Sequence, residues 1–207
     1  MRSSQWNKTY RILRHLQLVS LVHILKKLTF IIGWFGLYKV AWVCAILGGG
    51  VHGHPIVSAL PMLIWSMAWI FFQPNRKANT IMAILAGLCG LLWDSGLVIT
   101  GVMEFPVTAQ ALCPSPPWMI SLWISFGAIT HASFHKMYGR YFWAIVIGGI
   151  GGPMAYWGGV ATDAHIISSS KELFLGMIAL EWAIAFPFLL WAGQKMQLKY
   201  ASNTLSA

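Results

Sequence analysis

Acidic residues are almost missing from this chain of 207 residues. Asp and Glu number 5 against 14 Lys and Arg, and charged residues of all kinds make up 9% of the sequence. A soluble domain carries about 25%. So few charges cannot cover a water-facing surface, which excludes an ordinary soluble globule. Cysteine is also scarce. Cys44, Cys89 and Cys113 stand apart without C-x-x-C spacing, so neither a disulfide framework nor a zinc motif is visible. Cys44 and Cys89 sit in apolar runs, where a thiol behaves as a small hydrophobe. No small-x-small cleavage site follows a short apolar run, and no cleavable leader is expected. No cofactor motif is visible either.

Apolar sequence dominates: 57% of the residues are hydrophobic and the mean hydropathy is +0.66. A membrane span needs roughly 20 mostly apolar residues to cross a core of about 30 Å. Six segments qualify: 28–47, 55–72, 79–101, 117–134, 141–161 and 173–192. Turn-forming stretches such as GGGVHGHP, QPNRK and HKMYGR separate them. Runs of this length in lipid read as helices. The expected fold is an all-α integral membrane bundle of about six spans over 28–192. A basic arm precedes it at 1–27 and a cytoplasmic tail follows at 193–207.

Orientation follows from Lys and Arg. Six precede the first span: Arg2, Lys8, Arg11, Arg14, Lys26 and Lys27. Arg76 and Lys77, then Lys136 and Arg140, then Lys195 and Lys199 fall on the same side, whereas the opposite side has only Lys171. Both termini are therefore expected in the cytoplasm. The net charge of +9 is mostly this positive-inside bias, so no nucleic-acid partner is expected. In segment 5–27, Trp6, Tyr10, Leu13, Leu16, Leu21 and Ile24 can share one helical face opposite basic residues. This reads as an amphipathic helix on the anionic leaflet, or as a cytoplasmic extension of the first span.

Three ionisable residues fall inside spans: Lys39 in the first, Asp94 in the third and Glu181 in the sixth. Each costs about 2.5–3.5 kcal/mol on insertion scales. At 1.5 Å per residue their depths agree within roughly one to two helical turns, and Tyr156 comes to a similar depth. Asp94 should face the bundle interior and meet a donor, with Lys39 the cation nearest in depth. One reading is a buried ion pair that fixes helix register. The other is a functional site, with Asp94 and Glu181 as acid/base groups and Tyr156 as their hydrogen-bond partner. Lys39, Ser95, Trp93, Trp157 and Pro153 are the candidate substrate contacts.

The fifth span contains GGIGGPMAYWGG at 148–159. Gly148, Gly152 and Gly159 mark close helix approach and are also a candidate docking face for membrane-protein partners. Pro153 removes a backbone donor, so this helix is either tightly packed or broken beside a cavity, with Tyr156 and Trp157 lining it. His52, His54, Asp163 and His165 lie in connections on the side opposite the basic residues. They read as loop polar residues, or less readily as metal ligands. His131 and His135, four apart, share a helical face. Trp118, Trp182 and Trp191 lie near span ends, as aromatic belts do, and the deeper Trp65, Trp69, Trp93, Trp123 and Trp157 read as packing, or less readily as the lining of an apolar ligand site.

These residues carry a likeness. Gly90, Asp94 and Ser95, then Pro117, Trp118, Leu122 and Trp123, then Gly152, Pro153, Tyr156 and Gly159 resemble the pattern of an uncharacterised family of small bacterial inner-membrane proteins. The resemblance covers roughly 80–190. Genes of that family neighbour enzymes that modify membrane fatty acids, so the resemblance implies an inner-membrane location, lipids as partners and a lipid-linked role. The Asp94 span is also similar to a Leu-Leu-Gly-Asp span of membrane lysoplasmalogenases, but Trp93 replaces the glycine and a second acidic motif is missing. Three readings stand: a lipid-modifying or lipid-binding protein, a small carrier using Lys39, Asp94 and Glu181, and a non-catalytic assembly partner.

Overall fold

The computed structural model describes residues 32–106 and 113–205, with side chains through residue 200. The expected interfacial helix at 5–27 lies outside the described residues. Among these residues the chain is all-α apart from one short strand pair. Six helices fall on the six expected segments: α1 (Ile32–Val51), α2 (Ala59–Phe72), α3 (Arg76–Ile99), α4 (Pro117–Phe134), α5 (Tyr141–Val160) and α6 (Lys171–Leu205). The last part of α1, Cys44–Val51, is wound as a π-helix. The described chain divides into two units, with the boundary between Val40 and Ala41.

Three of the helices, α1, α3 and α6, are long and apolar enough to cross a membrane. The others fall short for readable reasons. α2 has 14 residues and reaches only about 21 Å at 1.5 Å per residue. Its expected first turn is instead a tight bend, in which Ser58 donates both its N–H (3.0 Å) and its hydroxyl (2.6 Å) to the His54 carbonyl. α4 and α5 have 18 and 20 residues, but Ser, Gly and Trp dilute their hydropathy. α6 passes the expected end at 192 and runs on to Leu205. Beyond Gly193 the sequence QKMQLKYASNTL changes to polar helix formers, which ends apolar composition without breaking the helix. Much of the expected tail is therefore helical.

Within the second unit, α4 is the central helix. It packs on α2, α3 and α6, while α5 packs along α6, and eight α4 residues between Trp118 and Thr130 are buried. On α3 the buried stripe runs Asn79, Met82, Ala86, Gly90, Asp94 and Leu97, one face of a 3.6-residue period. On α6, Phe174, Ile178, Glu181, Ala185 and Leu189 form the matching stripe. Outward positions stay apolar: Ile84, Leu88 and Leu92 on α3, and Ile147, Ile150 and Met154 on α5, are all exposed. Such an outer surface suits a hydrocarbon solvent, not water.

The α5–α6 contact is the closest in the fold. A Cβ on Gly148 would overlap the backbone carbonyl of Trp182, and one on Gly152 would overlap the Trp182 ring. Gly159 faces His165 in the same way. The glycine face that the sequence offers to an outside partner is thus taken up inside the fold. α5 continues unbroken through Pro153, so tight packing, not a broken helix, accounts for the glycines.

Two strands of two residues each, β1 (Met103–Glu104) and β2 (Ile166–Ile167), pair antiparallel in register Met103↔Ile167 and Glu104↔Ile166. They tie the α3–α4 connection to the α5–α6 connection. Ser170 then caps α6, accepting from the Leu173 N–H at 3.2 Å. Asp163, expected as a possible metal ligand, is exposed and takes a left-handed conformation (φ 59) where α5 ends, a role Asp tolerates better than most residues.

The α5–α6 packing makes a direct prediction. Gly148→Ala pushes a methyl into backbone, which costs about 1–3 kcal/mol as overpacking. Gly151→Ala meets open space and should leave thermal unfolding in detergent unchanged. Equal melting temperatures for the two variants would contradict the close approach.

Candidate functional site

Asp94 and Glu181 are both fully buried, at 0% exposure. Glycines prepare the place of the first. Gly90 lies one turn before Asp94 on the same face of α3, and a Cβ there would overlap the Trp123 ring of α4. The glycine thus seats the indole, whose Nε1–H donates to Asp94 Oδ2 at 3.0 Å. α5 repeats the arrangement: Gly152 seats the Trp182 ring, and one turn later the buried Tyr156 donates its hydroxyl to Asp94 Oδ1 at 2.5 Å. The Trp123 and Trp182 rings stack at 4.6 Å with 20° between planes. Four helices therefore meet at one carboxyl, through Asp94, Trp123, Tyr156 and the Trp182 stack.

Glu181 lies one residue before Trp182 on α6. It stands within electrostatic reach of Asp94, with Tyr156 as its hydrogen-bond partner. Ser115, in the connection before α4, donates its N–H to Ser95 Oγ at 3.3 Å. Its own buried hydroxyl is a further hydrogen-bond partner for the Asp94 carboxyl. The cluster thus gathers two buried carboxyls, a phenol, an indole and a hydroxyl.

An aromatic wall closes the end of the cluster toward the strand pair. His165 is buried, stacks on Trp118 at 5.7 Å, meets the edge of Phe105 at 5.3 Å and lies 5.5 Å from the Tyr156 ring. The expectation of a solvated loop histidine is therefore wrong for His165, although it holds for the exposed His52 and His54. Burial pushes the His165 imidazole down to about 4. Among the described residues, no three His, Cys, Asp or Glu side chains gather where they could hold a metal. At the opposite end of α4, His131 Nδ1 lies 3.1 Å from the Tyr138 hydroxyl.

Of the residues the sequence singles out, Asp94, Tyr156, Glu181 and Ser95 come together. Trp93 and Pro153 are half-buried beside them in sequence. Trp157 points outward at 40% exposure, with Lys171 Nζ 4.4 Å from its ring centroid. Lys39 is an exposed residue of the first unit, 5.4 Å from the Phe35 ring. Within the second unit, Asp94 accepts from the neutral Tyr156 and Trp123. Sequence reasoning missed Trp123, Ser115 and His165 as members. The available signal was the glycine one turn before each buried polar residue, Gly90 before Asp94 and Gly152 before Tyr156.

A sequence model of a family described as a protein of unknown function, DUF2878, matches residues 31–188. The chain belongs to that family, in keeping with its likeness to an uncharacterised one. No curated protein and no solved structure matches it.

The buried imidazole fixes a pH dependence. An unfolded histidine titrates near 6.5, and His165 in the fold near 4. Below about 6.5 the unfolded chain binds a proton that the folded chain refuses. The His165 contribution is therefore complete above that pH and is lost as pH falls toward 4, by about 3 kcal/mol in all. Thermal unfolding in detergent should show this loss in the wild type and a shallower one in His165→Phe. Parallel curves for the two proteins would show that His165 is not the group concerned.

Proposed function

We propose that the chain is a multi-pass protein of a bacterial inner membrane, with six spans and both termini in the cytoplasm. Asp94, Tyr156 and Glu181 form its buried acid/base site, in a lipid-linked role. One observation carries this reading: two fully buried carboxyls, Asp94 and Glu181, flank the phenol of Tyr156, which donates a hydrogen bond to Asp94. A polar site enclosed by apolar helices would receive its substrate from the bilayer rather than from water.

The roles follow from the partners. Asp94 accepts from Tyr156 and Trp123, which hold its carboxyl in a single orientation. Glu181, buried beside Tyr156, can exchange a proton or accept from a substrate hydroxyl. Tyr156 connects the two, and two carboxyls in unlike surroundings can divide acid and base work. Ser95 and Ser115 are the substrate contacts that fit this placement.

A second reading, a small proton-linked carrier, is favoured by the neutral character of both donors to Asp94. Carboxyls without a fixed cation can load and release a proton as a gating step.

Deleting the gene and measuring whole-cell lipids by mass spectrometry tests the first reading. A lipid species that shifts on deletion should return with wild type but not with Asp94→Asn at matched abundance. If both restore it, Asp94 is structural and the site assignment fails. If no lipid changes, the carrier reading takes over. Reporter fusions test the topology, with cytoplasmic signals expected after Lys77 and Arg140 and external signals after His54 and Asp163.

A further inference from the structure

Two tyrosines hold the α4–α5 connection against α6, away from the acid cluster. The Tyr138 hydroxyl lies 3.1 Å from His131 Nδ1. The same hydroxyl rests on Gly193 of α6, where a Cβ would come within 2.8 Å of it. Tyr141, at the start of α5, donates its hydroxyl to Gln194 Oε1 at 2.6 Å. Cations stand directly beside these anchors. Arg140 precedes Tyr141 and Lys195 follows Gln194, and both are exposed. The charge has one sign, since the chain has no Asp or Glu at 135–140 or after Glu181. Apolar surface adjoins it. Phe142 and Trp143 follow Arg140 along α5, exposed and in edge-to-face contact at 5.7 Å. We infer that Arg140 and Lys195 bind the phosphate of an anionic phospholipid, whose acyl chains lie on Phe142 and Trp143.

Chemistry selects the occupant. A guanidinium offers a planar fork that grips phosphate oxygens in pairs, and a lysine adds a second, compact charge. A soluble phosphate would satisfy the cations but leave Phe142 and Trp143 uncovered. A zwitterionic lipid would bring its own cation among residues of the same sign. An anionic phospholipid matches both halves, and exposed aromatic residues beside basic ones are what a membrane–water boundary favours. Basic surfaces between helices at the cytoplasmic side suit such headgroups. The tyrosine anchors distinguish this place from the other cations of the same side, Arg76 and Lys77. They fix the backbone that carries Arg140 to the helix that carries Lys195, so less ordering remains for the lipid to impose. This inference rests on the reading of the chain as a membrane protein and is independent of the acid/base site.

The test uses the full-length protein purified in an uncharged detergent, with thermal unfolding followed as phosphatidylglycerol, phosphatidylcholine or inorganic phosphate is added. Phosphatidylglycerol should raise the melting temperature saturably by several degrees, and the other two should not. Arg140→Gln and Lys195→Gln should each weaken the phosphatidylglycerol response about tenfold, the scale of one hydrogen bond to a charged group. Lys77→Gln removes the same charge at the start of α3 and should leave the response unchanged. Tyr141→Phe changes no charge but frees the anchor to Gln194, and should weaken the response as well. The inference is overturned if phosphatidylcholine matches phosphatidylglycerol, if inorganic phosphate alone gives the shift, or if Lys77→Gln weakens the response as much as Arg140→Gln. Reporter fusions without external signals after His54 and Asp163 would sink the membrane topology itself. Protein with the expected topology that ignores phosphatidylglycerol would sink only this inference.

Discussion

A carboxyl buried among apolar helices must be met by donors, and in this protein everything near the centre is arranged around that requirement. The carboxyl of Asp94 receives one hydrogen bond from α4 and one from α5. Hydrogen bonds to charged groups contribute about 1.5–3 kcal/mol each. Two of them are comparable with the roughly 2.5–3.5 kcal/mol that insertion of an aspartate costs. An ion pair is therefore not needed to keep Asp94 in place, and neutral side chains suffice. The same bonds fix the rotation of three helices, because a turn of any one of them takes its donor or acceptor away.

The glycines belong to this arrangement. Gly90 and Gly152 act through the volume they leave, since each admits a tryptophan ring one turn from the polar residue it supports. Trp123 uses its space to reach Asp94, and Trp182 uses its space to stack on Trp123. Sequence pattern, helix spacing and hydrogen bonding thus converge on one point. The Gly-x-x-x-Asp and Gly-x-x-x-Tyr spacings are what that convergence looks like along the chain.

Much of this was legible from residue type and spacing. The helices follow the apolar runs because hydrophobic length and helix-breaking connections are local properties. The meeting of Asp94, Tyr156 and Glu181 follows from their depth, which the rise per residue fixes. What depth cannot fix is rotation. Trp157 is next to Tyr156 and Trp93 next to Asp94, but neighbours on a helix point about 100° apart. Nearness in sequence therefore misassigned Trp157, while Trp182, read as a belt residue, lies inside. Trp123 and Ser115 were not separable from packing and loop residues, because their membership depends on contacts between helices. The strand pair was invisible for a related reason. Four residues in two distant connections carry no periodicity, and only the paired backbone reveals them.

The packing also divides the second unit. α2, α3 and α4 lie together, α5 is locked to α6 by glycine contacts, and the two groups meet where α6 runs against α3 and α4. Asp94 and Trp123 belong to one group, and Tyr156, Glu181 and Trp182 to the other. The Tyr156–Asp94 hydrogen bond and the Trp123–Trp182 stack therefore both cross the seam between the two groups. A displacement of one group against the other would break a polar and an aromatic contact together, so the buried carboxyl and the helix seam depend on the same side chains.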